Sequence, residues 1–312
     1  MFRAFSLAAA AGALCVAVLG SWVRINGAGM TCPDWPLCHG ALVPSLVGGV
    51  ILEWSHRLAA LVTGFLMIGA LITGWQARKR IGGVSAVLAY IAAIFAVQVA
   101  LGGLTVALAN TPWSVVVHWG TAMLLLGGLT ALAQLAVVAP RTVVVRHSFL
   151  GGVLTAAAGL AFLTMLAGSY VSSSGAGLAC STLPACDGGS WSGATAAQTA
   201  QMIHRLAAGA FFLVATLAAY LAAIGTTPRV RAATLFAYAL VVFQVMLGFG
   251  NVAWQLPTVL REAHAANASL AFVAFIGALV FAAIDGTVPA TIALRERRTA
   301  GLAVEPVETA LR

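Results

Sequence analysis

Charge is what this 312-residue chain has least of: 8 acidic and 16 basic residues, together 8% of the total. Set against 61% hydrophobic residues and a mean hydropathy of +1.00, that scarcity excludes a water-soluble globule. Period-two alternation is also missing, and the apolar runs are too long for strands, so a transmembrane barrel is excluded as well. No polar stretch is long enough to make a soluble domain, and the residues after Arg295 read as a short, disordered tail. Nucleic acid is not an expected partner: the net charge of +8 has a better explanation in membrane topology.

What is there instead is a series of apolar runs of about 20 residues, each long enough to cross a bilayer core. Eight are expected, near 4–23, 50–75, 83–108, 114–138, 149–171, 200–224, 232–254 and 260–284. In an eight-span arrangement Arg3, Arg78, Lys79, Arg80, Arg141, Arg146, Arg229, Arg231, Arg295, Arg297 and Arg298 fall on one side. Asp34, Glu53, Asp187 and Glu262 fall on the other. The positive-inside rule then places both termini in the cytoplasm of a multi-pass plasma-membrane protein, with the cysteine-containing loops outside. A cleaved signal peptide over Phe2–Gly20 would leave seven spans and break the repeat described next, so it is rejected.

The chain repeats itself. Residues 20–38 superpose without gaps on 168–186 with nine identities in nineteen positions, including the Gly27-Ala28-Gly29 and Gly175-Ala176-Gly177 triplets and both cysteine pairs. His56-Arg57 and His204-Arg205, each followed by Leu-Ala-Ala, stand 148 residues apart. His118 and His264, with their upstream Gln98 and Gln244 segments, stand 146 apart. The expected fold is an all-α integral membrane protein of two tandem-duplicated four-helix bundles. Each half holds an even number of spans, so a pseudo-two-fold along the membrane normal relates them. The halves are taken as residues 1–140 and 141–290, with a cytoplasmic tail over 291–312.

One histidine near a helix end is ordinarily an interfacial hydrogen-bonding group. Four of them, His56, His118, His204 and His264, at matched depths on the even-numbered helices, are what six-coordinate haem iron requires. Zinc fits less well, because no third ligand stands at normal spacing. His39 and His147 have no repeat counterparts and read as loop residues. Glu53 shares a helical face with His56, and either handles protons or stabilises positive charge there, or simply favours a helix N-terminus. Its counterpart is Gln201, which cannot titrate, so only the first half is expected to do acid–base chemistry. Arg57 and Arg205 either snorkel to the interface or pair with haem propionates.

The loop cysteines, Cys32 with Cys38 and Cys180 with Cys186, have C-x5-C spacing in a compartment that permits disulfides. A structural staple and a redox pair are both open readings, and a four-cysteine zinc site is a weaker third because the spacing is wide. Cys15, inside the first helix, reads as a small buried hydrophobe.

The stretch Arg24-Ile25-Asn26-Gly27-Ala28-Gly29-Met30-Thr31-Cys32-Pro33-Asp34-Trp35-Pro36-Leu37-Cys38, followed by Glu53-Trp54-Ser55-His56-Arg57, resembles the haem A synthase family. The resemblance extends over all eight spans. It implies an oxidoreductase that converts haem O to haem A, taking the C8 methyl to a formyl group through two hydroxylations and a geminal diol. It also implies a haem b cofactor held by His204 and His264, with His56, His118 and catalytic Glu53 around the substrate haem. Cys32 and Cys38 resemble the family's pair in the N-terminal outer loop. The expected partners are haem O, the lipid bilayer, haem O synthase, an electron acceptor and a second copy of the chain, in support of cytochrome oxidase assembly. Two other classes use some of the same residues. An electron-transferring dihaem b-type cytochrome needs the four histidines but neither Glu53 nor the cysteine loops. A membrane thiol-disulfide oxidoreductase needs the cysteines and leaves the histidines surplus.

Overall fold

The computed structural model describes residues 1–139 and 148–285. His147, the expected boundary at 140/141, the tail and Arg141, Arg146, Arg295, Arg297 and Arg298 lie outside the described residues. Eight long helices, each apolar enough to cross a membrane, account for nearly everything else. They are α1 (Phe2–Ile25), α2 (Gly49–Ala77), α3 (Val84–Ala107), α4 (Pro112–Val138), α5 (Phe149–Ser173), α6 (Ala196–Ile224), α7 (Pro228–Ala253) and α8 (Thr258–Asp285). The expected spans agree with these to within about four residues. Their starts are chemically marked. Ser148, Thr195 and Thr227 cap α5, α6 and α7 by accepting the backbone N–H three residues on, and Pro112 and Pro228 open α4 and α7.

Helix neighbours follow the repeat. Within the first half α1 packs on α2 and α4, and α3 on α2 and α4; within the second, α5 packs on α6 and α8, and α7 on α6 and α8. The halves meet along a seam of α1, α4, α5 and α8. Lipid tails are as apolar as the side chains, so close packing rather than water exclusion must hold the seam and the helix pairs together. Small residues supply it. A Cβ on Gly69 would lie 2.5 Å from the Phe5 ring, and one on Gly120 would lie 2.7 Å from Leu166 across the seam. The main core fills both sides of the seam with Met123, Leu126, Leu154 and Phe275, all buried, and a second cluster around Leu129 and Ile91 lies mainly in the first half, joined by Ile284 of α8. Cys15 is not part of either core; it lies on the exposed face of α1, where a thiol meets lipid as readily as a methyl does.

Candidate haem-binding cavity

Both cysteine loops lie at one end of the bundle, the end where α1 and α5 finish and α2 and α6 begin. Each loop is closed by a disulfide, Cys32–Cys38 and Cys180–Cys186, with Cα atoms 4.7 Å apart in both. A zinc site shared by the four sulfurs is therefore corrected: each sulfur is already bonded within its own loop. Asp34 tightens the first loop by accepting from the Gly40 and His39 peptide nitrogens, at 2.8 and 2.6 Å. Those donors, Gly40 first, hold its carboxyl below the usual range. Asp187 does the same in the second loop through the hydroxyl and peptide N–H of Ser181. Stability from such depressed carboxyls is present at neutral pH and is lost as pH falls through their folded pKa values. His39, a loop residue as expected, meets the Thr31 carbonyl at 2.9 Å.

Below the loops a continuous cavity of about 1800 Å³ runs through both halves. All four repeat histidines line it, as do Glu53, Gln201, Arg57 and Arg205. In the second half the His204 and His264 rings are 6.4 Å apart, centroid to centroid, in an edge-on arrangement. Metal–imidazole bonds of about 2 Å, plus roughly 1 Å more from each nitrogen to its ring centre, would fill that gap with one ion. The Nδ1 of His204 sits 3.0 Å from the Thr164 carbonyl, which leaves Nε2 as the free ligand atom, the arrangement that orients a metal-binding imidazole. In the first half His118 has the Gln98 amide 3.3 Å from its Nδ1, and His56 keeps a buried Nδ1 with no hydrogen-bond partner.

Glycines make room for the rings. A Cβ on Gly20 would stand 2.8 Å from His56 Cε1, and one on Gly168 would stand 2.8 Å from His204 Cε1. Gly102 and Gly248 face His118 and His264 in the same way at 3.6 and 3.4 Å. Each imidazole thus lies against a bare stretch of the neighbouring helix. These glycines stand in the repeat at the same offsets as the histidines, and that shared offset was the available signal for their role.

Residue 53 is tied to the first loop. Glu53 is buried, accepts from the Cys32 peptide N–H at 2.8 Å and the Thr31 hydroxyl at 3.0 Å, and pairs with Arg57 at 2.6 Å. Gln201 repeats the first of these contacts, accepting from the Cys180 peptide N–H at 2.7 Å, and turns its amide to the Gly177 carbonyl at 2.9 Å. In the first half the corresponding carbonyl, Gly29, is taken by Asn110 instead. The same backbone donor therefore holds a carboxylate in one half and an amide in the other.

Arg57 and Arg205 hold the loops. Arg57 donates to the carbonyls of Asp34, Leu37 and Cys32 as well as to Glu53. Arg205 donates to Thr182, Pro184, Ala185 and Cys180. Both guanidinium groups thus donate to loop backbone while lining the cavity.

The family described as "Cytochrome oxidase assembly protein" (COX15-CtaA) matches residues 3–47 and 48–276. A protein named heme A synthase from Bacillus pumilus (strain SAFR-032) is 29% identical over 212 residues, covering 64% of this chain and 68% of its own. One of the same name from Shewanella oneidensis (strain ATCC 700550) is 26% identical over 302 residues, 82% of this chain and 89% of its own. A third, named protoheme IX farnesyltransferase, from Halobacterium salinarum, is 33% identical over 106 residues, 33% of this chain and 22% of its own.

Proposed function

The chain belongs to the COX15-CtaA family of cytochrome oxidase assembly proteins, and from that premise we propose that it is a haem A synthase, oxidising the C8 methyl of haem O to a formyl group. One observation carries the assignment of roles. The two halves share histidines, glycines, disulfides and loop arginines, yet only the first places a carboxylate, Glu53, where the second has Gln201. A chain built only to pass electrons between two haems has no need of that difference.

The residues of the second half fit haem b. His204 and His264 would hold its iron, with Thr164 fixing the His204 ring and Gly168 and Gly248 clearing space for both imidazoles. When bound, haem b supplies a one-electron redox centre. His56 and His118 hold the substrate haem in the first half, and Glu53 serves the reacting edge. The cavity is lined mostly by apolar side chains, so charge placed there acts at a lower effective dielectric than in water. Arg57 and Arg205 act by fixing the loops that roof the two sites. The loops face outside the cell membrane, and the start of α1 and the end of α8 face the cytoplasm. Haem O synthase is a fitting partner because its product is this enzyme's substrate, and the protein named protoheme IX farnesyltransferase resembles part of this chain.

Incubating the purified protein with haem O and a redox partner, then extracting and separating the haems, tests the reading. Haem A or its alcohol precursor supports it; haem b alone, with haem O unchanged, supports a dihaem cytochrome; absence of any bound haem supports a thiol enzyme.

The glycines give a prediction that leaves every ligand in place. Gly168→Ala puts a methyl 2.8 Å from His204 Cε1. It should therefore cut haem b content severely, as read by the pyridine haemochrome. Gly20→Ala, with the same clash against His56, should leave haem b intact and reduce conversion of haem O. Equal haem b loss in both variants would overturn the division of labour between the halves.

The disulfides should differ for the same reason. Cys180→Ser with Cys186→Ser removes a loop staple, for a stability loss of roughly 2–4 kcal/mol with turnover largely retained. Cys32→Ser with Cys38→Ser removes the same staple but also loosens the peptide N–H that holds Glu53. Turnover should fall further there than the stability loss explains. Matched losses of turnover in both loops would show that the first disulfide does nothing for Glu53.

A further inference from the structure

Two further arginines line the cavity, and unlike Arg57 and Arg205 they are not spent on loop carbonyls. Arg24 lies in the last turn of α1, four residues beyond Gly20, so it sits on the His56-facing side one turn nearer the loops. Arg261 lies three residues before His264 on α8, again on the cavity side and one turn nearer the loops. The duplication does not explain them: their counterparts are Ser172 and Val115, which also line the cavity. Each half has thus put one cation where the other half has a neutral residue.

Both lie at the seam. Arg24 hydrogen-bonds across it to the hydroxyl of Ser172, its own repeat counterpart, and is within electrostatic reach of Arg261 and Glu262. The Arg261 guanidinium has no hydrogen-bond partner among the described residues. Among the described residues Glu262 is the one carboxylate in the cluster; it lies beside Ser21 and Arg24, and neither of its buried side-chain oxygens makes a hydrogen bond of normal geometry. Two guanidinium groups and one carboxylate leave the cluster net positive, in a place where an uncompensated charge is costly. A bound anion would compensate it.

We propose that Arg24 and Arg261 are the anchor for the porphyrin carboxylates, drawing the propionate edges of the ligands to the seam at the loop end of the cavity. This rests on the haem reading above and relocates the carboxylate contacts from Arg57 and Arg205. A planar guanidinium takes a carboxylate through two parallel N–H donors, a match that neither Ser172 nor Val115 provides. The chemistry of the substrate gives the anchor a second consequence. The C8 methyl shares its pyrrole ring with a propionate, so anchoring that carboxylate also sets which end of the cavity the methyl faces.

Spectroscopic titration of the full-length protein in detergent, with haem b and with its dimethyl ester, tests this. Wild type should bind the free acid on the order of tenfold more tightly than the diester, since hydrogen bonds to charged groups are worth about that much. Arg24→Gln and Arg261→Gln should each lower that ratio while leaving diester affinity and the low-spin spectrum unchanged, and Arg24→Lys should keep part of it. Equal affinity of wild type for acid and diester overturns the anchor, and so does a full ratio kept by both glutamine variants. If Arg24→Gln does not fold, the wild-type comparison and Arg261→Gln still decide. A wild-type protein that gives no low-spin spectrum with either porphyrin overturns the haem reading itself, and the anchor with it.

Discussion

His204→Ala and His264→Ala should each yield protein that folds but carries no stable low-spin haem b, whereas His56→Ala and His118→Ala should keep haem b and lose conversion of haem O. The expectation follows from the pairing in the second half. The two rings stand 6.4 Å apart and line one cavity, and among the described residues the His204 ring meets backbone only at Nδ1. Removing either ring leaves an iron with one protein ligand, which changes its spin state and removes half of the coordination that holds it. An alanine at either position also leaves Thr164 or the Gly248 surface facing empty space rather than an unpaired buried charge, so folding should survive. Reduced-minus-oxidised spectra and haem extraction read both quantities from one sample. Low-spin haem b persisting at full content in both second-half variants would place the cofactor in the first half and exchange the roles of the two bundles.

The halves became distinguishable at different depths of reading. The eight spans and the repeat needed only the period of apolar runs and a constant offset, because a bilayer imposes one length on every helix. The four histidines were legible for the same reason, since the offset that relates them also relates their flanking residues. What the sequence could not carry was the direction of long side chains. Arg57 and Arg205 sit beside the proposed ligands in the chain, yet a guanidinium on a flexible stem reaches in any direction, and both reach back to loop carbonyls more than 19 residues earlier. The hydrogen bond from Arg24 to Ser172 was equally invisible, because it joins two positions 148 residues apart only once the halves pack. Cys15 failed for a simpler reason: in a membrane helix an apolar residue faces lipid or core with equal ease, so composition does not say which.

Glu53→Gln should keep the fold, the first disulfide and haem b, and lower conversion of haem O by on the order of 100-fold or more, the scale of a lost acid–base group. The second half shows why the fold should tolerate it. There a glutamine already occupies the same place, accepts from the first cysteine's peptide N–H at 2.7 Å, and leaves its arginine fully supplied by four loop carbonyls. In the first half the new amide keeps the Cys32 N–H through its oxygen but gives up the ion pair with Arg57, now 2.6 Å long. Arg57 still has the carbonyls of Asp34, Leu37 and Cys32, so the usual penalty for stranding a buried charge is largely relieved. What disappears is the carboxylate: a group that can take a proton from the carbon being oxidised, or offset positive charge developing there, in a mostly apolar cavity. Glu53→Asp separates charge from reach. One methylene shorter, it cannot hold the Cys32 N–H and Arg57 at once, so partial activity would mean that the negative charge matters more than its position. Extracting haems from cells expressing each variant, and quantifying haem O, the hydroxylated intermediate and haem A, gives the answer. Normal haem A from Glu53→Gln would reduce this carboxylate to a partner of Arg57 and the first loop, and the proton-handling group would have to be sought elsewhere along the cavity.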